Sequence, residues 1–262
     1  MTYVNVIIPY KNNINYLFSA FKSVFNQSHK NYKIFLVYDD ENKSDLEKIN
    51  KFLKKIKKIK KVKIIVNNKN LGAGESRNKA IRYLKSGLIA FLDSDDVWRK
   101  DKLKKQIKFM KKNNLKISHT SYNILNEKNL KVTKQKAPKK LFFKNLLKSC
   151  DIGLSTVVID LKFFKKYNFK FASIKTKEDY VLWLNIIKRI KIIKSLNEYL
   201  TVYRKREKSL SSNQLINIKN GFLVYNKYMK YNMIKSLIYL SILSLNFIKK
   251  KIKNDFCFNY KL

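Results

Sequence analysis

The chain has 262 residues, of which 45% are hydrophobic, so it can form one α/β domain with an appended segment, or two small domains, and global disorder is excluded. Its formal net charge of +41 would attract any polyanion. The lysines are spread along the whole chain, which favours solvated lysine faces over a dedicated nucleic-acid surface. The cysteines, Cys150 and Cys257, lie far apart, which argues against a disulfide framework or zinc cluster and is typical of a reducing compartment.

Strand-like and helix-like segments alternate through the first half of the chain. The opening apolar run, Val4 to Pro9, is too short for a signal peptide and predicts a strand. Further strands are predicted at Lys33 to Tyr38, Val62 to Val66 and Leu88 to Leu92, with amphipathic helices between them. Strict alternation predicts right-handed βαβ units and a mostly parallel sheet with helices on both faces.

Polar and acidic residues follow the ends of these predicted strands. They are Pro9-Tyr10, Asp39-Asp40, Asn67 to Gly72, and Asp93 to Asp96. Ligands of such sheets bind beyond the carboxyl ends of the strands. Core packing does not require acidic clusters at one sheet edge, so this edge is the candidate site.

The second half of the chain is less regular. Strands are predicted at His119 to Asn123, Ser155 to Ile159 and Leu200 to Arg204, and a helix at Glu178 to Ile190. A polar, basic stretch, Asn126 to Lys140, separates the first two of these strands.

Two helices are predicted from Leu215 onward. The apolar stretch from Ser236 to Ile248 is shorter than the roughly 20 residues that span a bilayer, and three lysines follow it. These helices are expected either to lie on an anionic lipid surface or to pack on the preceding domain, and the sequence favours neither.

The run Asp93-Ser94-Asp95-Asp96 follows a fully apolar strand. Carboxylates spaced in this way can share one hard divalent cation, Mg²⁺ or Mn²⁺, that also binds phosphate oxygens. The alternative is that one of the three acids caps the following helix. Asp39-Asp40 can accept hydrogen bonds from a base or a ribose, or can simply form a turn.

Six motifs in order resemble glycosyltransferase family 2 of the GT-A fold, over about residues 3 to 212. The motifs are Val6-Ile7-Ile8-Pro9, Leu36-Val37-Tyr38-Asp39-Asp40, Asn70-Leu71-Gly72, Arg77-Asn78, Phe91-Leu92-Asp93-Ser94-Asp95-Asp96 and Lys177-Glu178-Asp179-Tyr180. The resemblance implies an α/β GT-A fold with a mostly parallel central sheet flanked by helices and a C-terminal helical extension. The implied divisions are a catalytic domain at 1–212, with a nucleotide-sugar-binding half (1–98) and an acceptor-binding half (99–212), and basic amphipathic helices at 213–262.

The resemblance also implies the role of each site residue. Nucleotide contacts are expected from Pro9, Tyr10, Asp40, Arg77 and Asp93, and metal ligation from Asp95 with Asp93. Asp179 is expected to be the general base, with Glu178 and Trp183 near the acceptor. The run Tyr203 to Ser211 resembles a closing loop, in which Arg204 and Arg206 are expected at the diphosphate; Arg206 stands where the family often has His.

The function that these motifs imply is that of an inverting glycosyltransferase in surface polysaccharide, lipopolysaccharide or related glycan synthesis. The expected donor is a nucleotide-diphosphate sugar, most often a UDP-sugar, with Mn²⁺ or Mg²⁺ as cofactor. The acceptor is expected to be a glycan or a lipid-linked glycan, and the protein to be cytoplasmic with peripheral contact to the inner membrane face. The alternatives are a basic nucleic-acid-binding protein, although no signature of specific nucleic-acid recognition is present, and a non-catalytic sugar-nucleotide-binding relative.

Overall fold

The computed structural model describes residues 2–206 and 213–256, with only the backbone of residues 251 and 253–256. The expected boundary at 212/213, the closing-loop residues Glu207 to Ser211 and Cys257 lie outside the described residues. The strands are β1 (Val4–Tyr10), β2 (Tyr32–Tyr38), β3 (Val62–Val66), β4 (Leu88–Phe91), β5 (Val97–Trp98), β6 (Ile117–Asn126), β7 (Val132–Gln135), β8 (Lys140–Phe142), β9 (Val158–Asp160) and β10 (Ile192–Lys205). The helices are α1 (Ile14–Phe25), α2 (Ser44–Lys55), α3 (Ala73–Arg82), α4 (Lys102–Lys112), α5 (Phe143–Leu146), α6 (Leu161–Lys166), α7 (Glu178–Ile190), α8 (Gln214–Leu223) and α9 (Met233–Phe256).

All these strands join one sheet in the order β3-β2-β1-β4-β9-β6-β10-β5, with β7 beside β6 and β8 beside β10. The strands β3, β2, β1 and β4 run parallel, and so do β6 and β10. The strand β9 is antiparallel to both of its neighbours and joins the two parallel groups. This is the predicted GT-A-like α/β architecture with a mostly parallel sheet flanked by helices.

Alternating side chains of β1 and β2 pack into two cores on opposite faces of the sheet. On one face, Val6 and Leu36 pack with α1, α2 and α4. On the other face, Ile7 and Val37 pack with α3, α6 and α7. Both faces are therefore buried, and the strands read as continuous apolar runs for that reason.

Two local predictions differ from the structure. The strand expected at Ser155 begins only at Val158, because a single 3₁₀ turn occupies Leu154–Thr156. The polar stretch between Asn126 and Lys140 contains β7, which was not predicted because most of its residues are polar.

The C-terminal helices pack on the preceding α/β domain through a cluster of tyrosines. A π-helical turn, Val224–Tyr228, follows α8 directly. Its Tyr225 hydroxyl lies 3.2 Å from the Tyr180 hydroxyl at the start of α7, and the Tyr225 ring stacks on Tyr239 of α9 at 5.5 Å between centroids. Within the described ranges, none of the helices has the length and apolar character needed to cross a bilayer.

Candidate active site at the carboxyl edge of the parallel strands

The ends of β1, β2, β3 and β4 lie at the same edge of the sheet. Tyr10 pairs with Tyr38, and Tyr38 pairs in turn with Val66. The residues that follow these strands, including Asp39, Asn67 and Asp93, are therefore neighbours, as the sequence predicts.

Asp39 fixes the loop that follows β3. Its Oδ1 accepts hydrogen bonds from Asn67 Nδ2 (2.7 Å) and the Leu71 amide (2.8 Å), and its Oδ2 accepts one from the Gly72 amide (2.8 Å). The Asp39 side chain is only 3% exposed. Its carboxylate is thus used within the protein, in a structural role that the sequence reasoning did not assign. The position of Asp39 directly before Asp40, at the end of β2, was the signal in the sequence that could have indicated this role.

Asp40 joins the loops that follow β1 and β2. Its carboxylate accepts hydrogen bonds from the amides of Asn12 (3.1 Å) and Asn42 (3.2 Å). The expected nucleotide contacts of Pro9 and Tyr10 are not available to their side chains, because both are buried within β1. The Tyr10 hydroxyl instead donates to Asp45 at 2.6 Å, and burial and this bond raise the pKa of Tyr10.

Arg77 bridges two carboxylates that are far apart in the sequence. Its Nη2 lies 2.5 Å from Asp93 Oδ1 and its Nη1 lies 2.8 Å from Glu178 Oε1. The guanidinium is 3% exposed and lies over the Phe171 ring. Burial by itself would lower the pKa of Arg77, but the Asp93 and Glu178 carboxylates outweigh it and raise that pKa. The predicted contact between Arg77 and a nucleotide is therefore corrected: this cation orients Asp93 and Glu178.

The Asp93-to-Asp96 turn presents two of its carboxylates and buries the third. The Asp96 amide donates to the Asp93 carbonyl at 3.0 Å, which closes the turn. The side chains of Asp93 and Asp95 remain partly exposed, at 32% and 21%. Asp96 is 1% exposed, and its carboxylate accepts the Arg204 amide at 3.1 Å.

Burial and mutual repulsion act on this acidic turn. Burial, followed by the charge of Asp93, raises the pKa of Asp95, although Arg206 opposes the shift. Burial and the charges of Asp95 and Asp93 raise the pKa of Asp96 well above its usual value. Ser155, which the sequence did not single out as a site residue, supports the turn by accepting the Asp93 amide at 3.0 Å.

Two arginines at the end of β10 lie over the ring of Tyr16. The guanidinium carbons of Arg204 and Arg206 lie 5.2 and 5.4 Å from its centroid. Arg206 also pairs with Asp95 at 2.5 Å, and the Tyr16 hydroxyl donates to Glu127 at 2.5 Å. In the described chain the Nε atoms of both arginines are buried without a hydrogen-bond partner, whereas the two side chains as a whole remain 20% (Arg204) and 34% (Arg206) exposed. Arg204 and Arg206 thus lie together over Tyr16, and Arg206 lies beside Asp95, so Tyr16 is an additional candidate site residue.

Asp179 lies in the first turn of α7, next to the Arg77 bridge. It is partly exposed, and its Oδ1 accepts its neighbour's amide, that of Tyr180, at 2.7 Å. Burial and the adjacent Glu178 charge raise the pKa of Asp179 to about 7, although Arg77 acts in the opposite direction. A carboxyl group with such a pKa can accept and release a proton near neutral pH.

The prediction for Trp183 is wrong. Its side chain is fully buried in the core of α7, and it cannot face an acceptor. Trp183 lies three and four residues from Tyr180 and Ile187, which are also buried, so helical periodicity was the signal that it belongs to the core.

No group of three or more His, Cys, Asp or Glu side chains in the described ranges is arranged to hold a metal ion. The acidic turn offers two partly exposed carboxylates, those of Asp93 and Asp95. A divalent ion here would need further oxygen ligands from a bound substrate or from water.

Comparisons with known proteins identify the family of this chain. The family model described as glycosyl transferase family 2 matches residues 5–171. The chain is 33% identical over 259 residues to the UDP-Glc:alpha-D-GlcNAc-diphosphoundecaprenol beta-1,3-glucosyltransferase WfgD of Escherichia coli, covering 98% of this chain and 96% of that protein. It is 31% identical over 253 residues to the putative teichuronic acid biosynthesis glycosyltransferase TuaG of Bacillus subtilis (strain 168), covering 95% and 97%.

A solved structure shows the same fold. The mannosyltransferase PcManGT from Pyrobaculum calidifontis, in complex with GDP-Man and Mn²⁺, matches with a TM-score of 0.67 at 11% identity. The match covers 91% of this chain and 70% of that one.

The Arg77 bridge makes a testable contribution to stability. Arg77→Met should lower the free energy of unfolding by about 3 kcal/mol, because Glu178 and the partly exposed Asp93 lose the buried cation that they share. Arg82→Met, at an exposed position of the same helix, should change it by less than about 0.5 kcal/mol. Urea unfolding of both variants measures the difference, and similar small losses in both would contradict the role given to Arg77.

Proposed function

The chain belongs to glycosyl transferase family 2 and is a glycosyltransferase. We propose that it transfers a sugar, with inversion, from a nucleoside-diphosphate donor to an acceptor hydroxyl. The observation that carries this proposal is the Arg77 bridge, which holds Asp93 of the acidic turn and Glu178 of α7 on one guanidinium. It brings the proposed diphosphate side of the site and the proposed base, Asp179, close together. The charge of Asp93 also reaches Asp179, since it raises the pKa of that residue.

Asp179 is the proposed general base. Its carboxylate takes the proton of the acceptor hydroxyl while that oxygen attacks the anomeric carbon from the face opposite the diphosphate. The bond from the anomeric carbon to the diphosphate oxygen breaks in the same step, and the nucleoside diphosphate leaves with the electron pair. A single displacement of this kind inverts the anomeric centre. Arg204 and Arg206 stabilise the charge that develops on the departing diphosphate.

The donor and the acceptor are proposed by analogy with the relatives. The name of WfgD specifies UDP-Glc and a sugar linked through a diphosphate to undecaprenol, and that of TuaG specifies teichuronic acid biosynthesis. High coverage of both chains supports a UDP-sugar donor and a lipid-linked glycan acceptor in surface polysaccharide synthesis. The rival nucleic-acid-binding function is not favoured, since acidic groups at this edge would repel phosphates that lack a cation.

A divalent cation fits the acidic turn. Asp93 and Asp95 supply hard oxygen ligands. The charge of Asp93 raises the pKa of Asp95, so a cation between the two carboxylates would relieve their repulsion. In the described structure Arg206 supplies part of this positive charge through its ion pair with Asp95. When bound there, Mn²⁺ or Mg²⁺ would neutralise the donor's diphosphate and assist its departure. The complex of PcManGT with GDP-Man and Mn²⁺ supports this assignment.

The outer face of α9 is proposed to contact an anionic membrane surface. Its large apolar side chains are 49% to 72% exposed: Met233, Ile234, Leu237, Ile238, Leu245, Phe247, Ile248 and Ile252. Residues 213–262 contain nine lysines and one acidic residue. An apolar helix face with surrounding positive charge is suited to a surface of anionic lipids, where a lipid-linked acceptor would also reside.

The base assignment predicts a defined loss of activity. Asp179→Asn should reduce the transfer rate by about 10²–10⁴-fold while leaving the affinity for the UDP-sugar unchanged, because only proton removal is lost. In the wild type, kcat/KM should fall about tenfold per pH unit below a pH of about 7, since the protonated carboxyl cannot act as a base. Asp101→Asn, at an exposed carboxylate, is the control. Full transfer by Asp179→Asn would exclude this residue as the base.

The metal assignment predicts a change in ligand-induced stabilisation. With UDP present, Mn²⁺ should raise the Tm of the wild type and should not raise that of Asp95→Ala, because a ligand stabilises only the state that binds it. Isothermal titration of Mn²⁺ provides a second readout, and Asp101→Ala is the matched control. An undiminished Mn²⁺ response in Asp95→Ala would show that Asp95 is not a ligand.

The membrane assignment predicts selective loss of vesicle binding. Replacing Leu237 and Ile248 together with Glu should weaken cosedimentation with phosphatidylglycerol-containing vesicles at least about tenfold, since two apolar side chains no longer enter the interface. Leu130→Glu, at an exposed leucine 76% accessible to solvent, should leave binding unchanged. Equal binding by both variants would mean that this face of α9 does not contact lipid.

A further inference from the structure

The loop at residues 146–151 lies between the proposed base and the C-terminal helices. The hydroxyl of Tyr180, the residue that follows Asp179, donates to the Leu146 carbonyl at 2.6 Å. On the other side, the Tyr225 hydroxyl donates to the Leu147 carbonyl at 2.8 Å and Asn246 of α9 donates to the Lys148 carbonyl at 2.9 Å. The loop therefore connects the first turn of α7 to α9.

Lys250 of α9 reaches this loop from the side of the C-terminal helices. Its ammonium contacts the Asp151 carboxylate and the Ser149 hydroxyl. The Lys250 side chain remains 39% exposed, so its charge is still accessible to a ligand.

Lys177 approaches the same loop from the side of the base. It immediately precedes Glu178 and Asp179, in a left-handed backbone conformation with φ 66° and ψ 17°. Such a conformation is uncommon for a lysine and is found most often where the surroundings enforce it. Asn220 of α8 holds the preceding residue, Thr176, at 3.0 Å.

The ammonium of Lys177 is available for a ligand. It makes no hydrogen bond or ion pair within residues 2–206 and 213–256. The stem of Lys177 runs past Gly221 of α8, where an added Cβ would lie 3.5 Å from Lys177 Cε. The C-terminal helices thus support the position of this cation without neutralising it.

The charges of both lysines converge on Cys150, in the middle of the loop. Cys150 is exposed, and the charges that act on its thiol include those of Asp179, Lys177 and Lys250. Both ammonium groups and the proposed base therefore lie within electrostatic range of this residue.

We propose that Lys177 and Lys250 bind the diphosphate of a lipid-linked sugar acceptor. The proposal rests on the proposed glycosyl transfer and deepens it by assigning a site for the acceptor's anionic linkage. The order of features fits such a molecule: its sugar hydroxyl at Asp179, its diphosphate at the two lysines, and its lipid against the exposed apolar face of α9. Lysine ammonium groups are suited to this contact as point charges for phosphate oxygens.

The test compares two synthetic acceptors that differ only in the linkage. Both carry the same α-linked N-acetylglucosamine and the same lipid, one through a diphosphate and the other through a neutral glycosidic oxygen. Lys177→Gln and Lys250→Gln should each raise the KM of the diphosphate acceptor about tenfold, because a charge-assisted contact is lost. The KM of the neutral acceptor and that of the UDP-sugar should not change. Lys175→Gln and Lys249→Gln, at exposed neighbouring lysines, are the matched controls.

Asp151→Asn separates a binding role of Lys250 from a structural one. If Lys250 only holds the loop, Asp151→Asn should impair both acceptors as Lys250→Gln does, and that result would overturn the proposal. If Lys250 binds the diphosphate, Asp151→Asn should keep or lower the KM of the diphosphate acceptor, since it releases the ammonium. An unchanged KM in both lysine variants would also overturn it.

Two further readouts distinguish other sources of the same phosphate chemistry. Binding to phosphatidylglycerol vesicles should be the same in Lys250→Gln and wild type; a loss of vesicle binding with an unchanged acceptor KM would assign Lys250 to phospholipid headgroups instead. Hydrolysis of the UDP-sugar without acceptor tests the proposed function separately. If the wild type hydrolyses the donor but uses neither acceptor, the acceptor site is wrong while the donor chemistry stands.

Discussion

The site depends on one buried cation. Arg77 extends from α3 to hold Asp93 at the end of β4 and Glu178 at the start of α7, residues 85 positions apart in the chain. Without this guanidinium the two carboxylates would repel each other in a poorly solvated position. Because Asp95 follows Asp93 and Asp179 follows Glu178, the bridge also sets where the partly exposed acids lie. The distance between the two halves of the site therefore depends on the two ion pairs that Arg77 makes.

The sequence predicts most of the fold, because strands buried on both faces appear as apolar runs and their polar ends mark the functional edge. It predicts less of the site, because a motif identifies a residue but not the direction of its side chain. Arg77 and Tyr10 were both expected to contact the nucleotide, yet each is engaged with acids inside the protein. Tyr16 belongs to no motif, and only the folded chain brings its ring beneath Arg204 and Arg206.

The net charge of the chain likewise does not predict the chemistry of the site. A net charge of +41 dominates the composition, whereas the candidate site is organised around carboxylates. The cations that matter there are few, and they are distinguished by position: Arg77 by burial, Arg206 by its pairing with Asp95. Composition gives the long-range field of a protein, but the chemistry of a site depends on which charges are desolvated and paired.

The three hydrogen bonds of Asp39 have a kinetic consequence. They order the loop from Asn67 to Gly72 in the free protein, so the conformational entropy of this segment is lost during folding and not during ligand capture. A molecule that arrives at this edge meets a rigid surface. Its association rate should then be governed by diffusion and orientation, with no slow ordering of the loop in the encounter.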